Sequence, residues 1–252
     1  MATFEEELKS LMPTLNRWGK FALLGKRIEV KGKENFVKNG PNLIVGNHIG
    51  SYKDIATLFK IVPRPIFFIA NKMIFSKKEF NFLIRKHLKR HLKEFGLLLD
   101  LAINPLKSAF VNFISSNIAK AGTIPVDIYK GRKVAREKFQ EYLKKGRAII
   151  ALQGRGRVMK KDANPYVSSF KRGYSIIAYS MYKNEGISVA VTPIAFFGTH
   201  IPFMIPAKIR VNIGPPMYIA DYMAGGFQET IENFRNALEA KVKSLFLELL
   251  KK

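Results

Sequence analysis

Short apolar runs alternate with amphipathic stretches along this chain, and that alternation restricts it to an α/β architecture. Strand-like runs lie at Arg27–Val30, at 42–48, within Ile61–Ala70 (Pro-Ile-Phe-Phe-Ile-Ala), and at Ala148–Leu152. Further runs lie at Val189–Ile194, Ala195–Phe197 and Lys208–Ile213, with turn prolines at 202, 206, 215 and 216. Between them, Arg132–Lys145 reads as an amphipathic helix closed by Gly146. Near the C-terminus Ile231, Phe234, Leu238, Val242, Leu245 and Leu249 recur at helical spacing, which predicts a packed or surface-docked helix from Glu229 onward. The expected domain is a central mixed β-sheet flanked by helices, and 252 residues suffice to bury its core.

A short helical appendage precedes it. Thr3 and Glu6 form a capping-box pattern, and Phe4, Leu8, Leu11, Leu15 and Trp18 draw one apolar stripe. Pro13 falls inside the stripe and predicts a kink, or two short helices meeting there. Arg17, Lys20, Lys26 and Arg27 flank its second half. Such a stripe beside cations suits a bilayer interface or packing on the domain, and the residues leave both open. Residues 1–25 are expected to form a membrane-association motif, and 26–252 the α/β domain.

The net charge of +24 predicts attraction to something anionic. Zinc-finger spacing, a Gly-rich phosphate loop and an RNA-binding aromatic signature are all missing, so nucleic acid is not expected. Lys72–Lys93 holds eight Lys or Arg against one Glu, interleaved with Phe80, Leu83, Ile84 and Leu88. That pattern is a basic amphipathic helix of the kind that lies on anionic membrane. His87 and His91 on it are four apart but have cations all round, so they read as helix-face residues, not metal ligands. The chain has no cysteine, which excludes disulfides and thiol nucleophiles. No secretory signal opens it, and no run approaches the length of a spanning helix, Phe95–Ile103 being interrupted by Asp100. A peripheral position on the cytoplasmic face of a membrane is the expectation.

Chemistry concentrates at the end of the second strand. Asn47-His48 closes an apolar run, and Asp54 opens a helical pattern beyond a small turn. Positions six apart lie about 240° apart around a helix, so the histidine must precede the helix if the two are to meet. A neutral imidazole oriented by a carboxylate is a general base suited to an alcohol near neutral pH. Three more blocks follow in order. They are Gly122-Thr123-Ile124-Pro125-Val126-Asp127; Gln153-Gly154-Arg155-Gly156-Arg157 with Phe170-Lys171-Arg172-Gly173; and Val189–Ile194 with its embedded Pro193.

These four blocks resemble those of the glycerolipid acyltransferase family, over roughly two thirds of the chain from residue 42. The resemblance implies a glycerolipid-acyltransferase-type α/β domain that moves a fatty acyl group from acyl carrier protein or coenzyme A to the hydroxyl of lysophosphatidate. It leaves glycerol-3-phosphate, another lysophospholipid, or a catalytically silent membrane-binding relative as alternatives. It implies His48 as base, Asp54 as its orienting partner, and Arg155, Arg157 and Lys171 on the acceptor phosphate. Gly154, with Gly156, lets the backbone approach the substrate. No cofactor and no metal are implied. The chain departs from the family pattern in three places. Five residues instead of four separate His48 from Asp54, an insertion expected to be absorbed at Gly50-Ser51 through glycine's backbone freedom. Gln153 stands where the family has glutamate, and Gly156 where it has arginine. After Asp127, Ile128 replaces an arginine, with Lys130 and Arg132 the nearest cations. Lys72 reads as a surface lysine, and His200 as structural or exposed.

Overall fold

The computed structural model describes residues 4–92, 104–120, 122–126 and 132–251. Its strands are β1 (Lys26–Lys31), β2 (Asn42–His48), β3 (Ile66–Asn71), β4 (Thr123–Val126), β5 (Ala148–Ile150), β6 (Gln153–Gly154), β7 (Ala190–Phe197) and β8 (Ala207–Ile213). Its helices are α1 (Phe4–Ala22), α2 (Tyr52–Ile61), α3 (Lys77–Leu92), α4 (Asn104–Asn117), α5 (Arg132–Lys144), α6 (Gly173–Glu185) and α7 (Phe227–Leu250). Phe95–Ile103, Thr3, Asp127, Ile128, Lys130 and the side chains of His87 and His91 lie outside the described residues. The chain divides into two compact units, residues 13–66 with 137–252 and residues 1–12 with 67–136.

The larger unit carries a mixed sheet in the order β1-β8-β7-β2-β5, with β6 also on β2. β1 runs parallel to β8, and β2 parallel to β7, β5 and β6; β7 and β8 are antiparallel. The strands in the middle are unbroken apolar runs because both faces are covered: Leu43, Ile44, Val45, Ile149, Val191, Ile194 and Phe196 are fully buried. The two runs read separately around Pro193 are one strand. Val191 bridges Met217 and the ladder to β8 starts at Ile194; between them Pro193 uses only its carbonyl, accepting the Gly214 N–H at 2.9 Å, so the missing proline donor falls in the break between bridge and ladder. On one face α7 packs against β7 and β8, burying Ile231, Phe234, Leu238, Val242, Leu245 and Leu249. Each such side chain stabilises the unit by about 1.5–3 kcal/mol.

The smaller unit pairs β3 and β4 in parallel, Phe68 opposite Thr123 through Asn71 opposite Val126. A short turn of 3₁₀ helix at Lys72–Phe75 leads into α3, which packs on α4. The rings of Phe80 and Phe110 meet at 5.9 Å, and Ser115 Oγ donates to the Ile74 carbonyl at 2.8 Å. The basic helix expected from Lys72 thus starts at Lys77.

α1 continues through Pro13 as one helix, where the sequence predicted a kink or two short helices. The proline removes one ladder N–H, whereas the apolar stripe keeps helical spacing on both sides of it and favours continuity. The division between the units falls at that proline. Among the described residues no helix is long and apolar enough to cross a membrane.

Candidate active site

β2 delivers the site. Asn47 is fully buried, and its side-chain amide makes both backbone bonds of Phe196 on β7: it accepts the Phe196 N–H at 2.7 Å and donates to the Phe196 carbonyl at 2.9 Å. It also donates to the Tyr166 carbonyl at 3.0 Å. An amide that carries donor and acceptor together can stand in for a missing strand residue, which a carboxylate cannot. The last residue of β2 is thereby fixed, and it is His48.

His48 Nδ1 lies 2.8 Å from Asp54 Oδ2. The same oxygen accepts the Ile49 N–H at 3.0 Å and the Gly50 N–H at 2.8 Å. Asp54 is completely buried while the His48 side chain is 26% exposed, so the pair is anchored on one side and reachable on the other. An acceptor-only carboxylate opposite Nδ1 places the imidazole proton there and leaves the lone pair on Nε2. The six-residue separation is bridged as the helix geometry required, with the histidine on the strand and the aspartate in the first turn of α2. In the Gly50-Ser51 turn it is Ser51 that takes the left-handed φ, 55 with ψ −125, so the turn does not draw on glycine freedom at Gly50. Gly50 is required for space: a Cβ there would stand 2.3 Å from Thr199 Cβ.

The third block closes on the other side of the imidazole. Gly154 on β6 is in register with His48, and Gly156 donates its N–H to the His48 carbonyl at 3.0 Å. Both take positive φ, 129 and 70. A Cβ at Gly156 would lie 3.2 Å from His48 Nε2 and 3.2 Å from Ser51 Cα, so glycine keeps the space beside Nε2 free. Arg155 and Arg157 flank Gly156 and are exposed. Lys171 is exposed as well, and none of the three side chains has an ion pair among the described residues.

Gln153 explains how Lys171 comes near. Its Oε1 accepts the Lys171 N–H at 3.1 Å, while its Nε2 donates to the Ala151 carbonyl at 2.9 Å. A glutamate could do the first and not the second. From the other side α7 grips the preceding residue: Glu239 accepts the Phe170 N–H at 2.7 Å, and Arg235 donates to the Phe170 carbonyl at 3.3 Å. Arg172 pairs with Glu232. Burial pushes the Glu239 carboxyl up, but Lys243 at 2.6 Å, the Phe170 N–H and Arg235 outweigh it and hold the group below the usual carboxylate range. The segment is pinned before and after Lys171, whose exposed side chain has no ion pair among the described residues.

Behind the dyad lie Thr199 and His200. The His200 ring packs edge-on to Tyr166 and Phe197 at 5.3 and 5.5 Å. Burial pushes its pKa down, with Lys53 adding to the shift and Asp54 opposing it. Burial also lowers the Lys53 ammonium, and Lys26 adds to that.

Residues 27–91, which hold β1 from its second residue on, β2, the His48–Asp54 pair and α2, match the acyltransferase family model. A match to acyltransferases over that stretch agrees with the resemblance carried by the sequence blocks. The crystal structure of the 1-acyl-sn-glycerophosphate (LPA) acyltransferase PlsC from Thermotoga maritima shares the fold, with a TM-score of 0.59 over 100% of this chain and 85% of that one, at 21% identity. No curated protein matches the sequence.

In this acyltransferase-type fold the structure brings His48, Asp54, Gly154 and Gly156 together, and holds Lys171 through Gln153. Lys72 and Arg132 belong to the smaller unit, as does Gly122–Val126 of the second block. Sequence reasoning missed the Asn47 clasp, the place of Gly156 against Nε2, and the grip of Arg235 and Glu239. An Arg–Glu pair four apart on a helix is too common to have signalled the last.

Proposed function

We propose that the chain transfers a fatty acyl group from a thioester, acyl carrier protein or coenzyme A, to the free hydroxyl of lysophosphatidate, giving phosphatidate. The observation that carries this is the reachable imidazole of His48 backed by the completely buried Asp54. His48 Nε2 takes the hydroxyl proton as the alcohol oxygen attacks the thioester carbonyl, and Asp54 stabilises the imidazolium. When the tetrahedral intermediate collapses, the C–S bond breaks, the C–O ester remains, and the imidazolium returns the proton to the leaving thiolate. The balance closes without a cofactor or an acyl-enzyme.

Arg155, Arg157 and Lys171 are the proposed phosphate clamp. A guanidinium offers paired donors to a phosphate, and these three cations have no competing carboxylate among the described residues. A peripheral position on the cytoplasmic face of an anionic membrane fits the charge of +24 and an acceptor that resides in the bilayer.

Acyl transfer to lysophosphatidate and to glycerol-3-phosphate, with each thioester donor, tests the reading in wild type and His48→Ala. Turnover that His48→Ala abolishes supports it, and the preferred acceptor names the step. A folded wild type with no turnover on either acceptor overturns it.

A further inference from the structure

We propose that the loop between β7 and β8 joins the end of α1 in one patch that inserts into an anionic lipid bilayer. The loop reads Ile201-Pro202-Phe203-Met204-Ile205-Pro206, where the sequence had suggested only turns. Met204 is 61% and Ile205 51% exposed, and Phe21 and Leu24 on the α1 side are 55% and 47% exposed. The patch is continuous, because the Phe203 ring meets Phe21 at 5.1 Å and a Cβ on Gly25 would lie 3.0 Å from the Met204 carbonyl oxygen.

The backbone is built to hold these side chains out. Met204 takes φ 63, a left-handed conformation that non-glycine residues rarely adopt. The Lys26 ammonium donates to the Pro202 carbonyl at 2.8 Å and to the Ile205 carbonyl, stapling the loop across its tip. Pro202 and Pro206 restrict the backbone at the tip's flanks. A soluble surface gains nothing from ordering exposed apolar residues.

Charge selects the occupant. Arg17, Lys20, Arg27 and Lys208 stand exposed around the patch, the last two sharing the single carboxylate of Glu29. An apolar tip with a basic surround is complementary to a hydrocarbon boundary under anionic headgroups. The base of the same loop is Thr199, against which Gly50 of the catalytic turn is packed. Insertion of the tip would therefore set the height of His48 over the bilayer. The inference deepens the proposed function by naming the surface that meets the membrane, yet its test needs no turnover.

Trp18 is the chain's single tryptophan and its ring lies 6.1 Å from Phe21, so it reports on the patch. The full chain is titrated with vesicles of phosphatidylcholine plus phosphatidylglycerol, and with phosphatidylcholine alone. A blue shift of Trp18 emission on the anionic vesicles, quenched by brominated lipid, is the expected result. The double variant Met204→Asp, Ile205→Asp should weaken partitioning by about tenfold per residue. Ile205→Ser and Phe21→Ser repeat the comparison if the double variant does not fold. Wild-type-like partitioning of the folded variants, or no wild-type response to anionic vesicles, overturns the proposal. Self-association of wild type that the substitutions relieve would assign the patch to a second copy of the chain, and would overturn it too. Vesicle binding without acyl transfer would leave this inference standing while the proposed function fell.

Discussion

Asp54 Oδ2 holds the His48 imidazole at 2.8 Å and, with the same atom, ties down the two backbone N–H groups of the turn that separates them. Orientation of the imidazole and closure of the turn are therefore one interaction. Asp54→Asn loses the acceptor-only character of the group, so the imidazole can take the wrong tautomer. The expected loss in kcat is about a thousandfold or more, accompanied by about 1–3 kcal/mol of stability from the disturbed N–H groups. Steady-state kinetics and thermal unfolding measured together check both. A loss of activity without loss of stability would contradict the shared role.

Gly156→Ala places a methyl 3.2 Å from His48 Nε2 in a backbone conformation with φ 70. The strain costs about 1–2 kcal/mol, and the methyl enters the space through which a substrate hydroxyl would reach the base. Turnover should fall far more than that strain alone would cause. Kinetics compared with Gly186→Ala, at φ 65 with open space around it, separate strain from occlusion.

Gln153→Glu restores the residue of the family pattern, and is expected to destabilise the chain and not to raise its activity. The carboxylate keeps the Lys171 N–H but faces the Ala151 carbonyl without a proton to donate. A cost of about 1–2 kcal/mol follows, read as a lower midpoint in denaturant. A gain in kcat/KM would show that a carboxylate is wanted there.

Glu239→Ala frees the Phe170 N–H that α7 accepts at 2.7 Å. The Lys171 segment then loses one of the contacts that hold it, so KM for the phosphate-bearing acceptor should rise several-fold while KM for the thioester changes little. Glu239→Gln keeps an acceptor for the N–H and should recover most of the effect. Equal changes in both KM values would mean a general loss of structure.

His200 supplies a pH dependence. Its folded-state pKa is depressed by burial, so the fold favours the neutral ring. The stability this contributes is present above the unfolded value of about 6.5 and is lost as pH falls through the lowered folded value. His200→Phe should flatten that part of the stability curve, measured as thermal midpoint against pH.

Much of this was legible beforehand. The strand at 42–48, the helices at 132–145 and 229–249, and the His48–Asp54 partnership all rest on local periodicity or on residues within one turn of each other. The α/β class followed from the same alternation. The reason Gly50 stands in the turn did not follow, because glycine's backbone freedom was the local argument, whereas the residue with positive φ is Ser51 and the crowding by Thr199 that requires Gly50 comes from a distant loop.

By itself the sequence determined the fold class, the order of its elements and the partnership of His48 with Asp54, since apolar period and short-range spacing carry all three. Tertiary structure alone decided that Asn47 completes β7 across 149 positions, and that Glu239 steadies the neighbour of Lys171 across 69. It also decided that a proline-flanked turn presents its apolar residues to the outside beside α1. Those contacts join segments far apart in the chain, and no local pattern records them, because a hydrogen bond between remote residues is selected by where the packed core brings them and not by what lies beside either one.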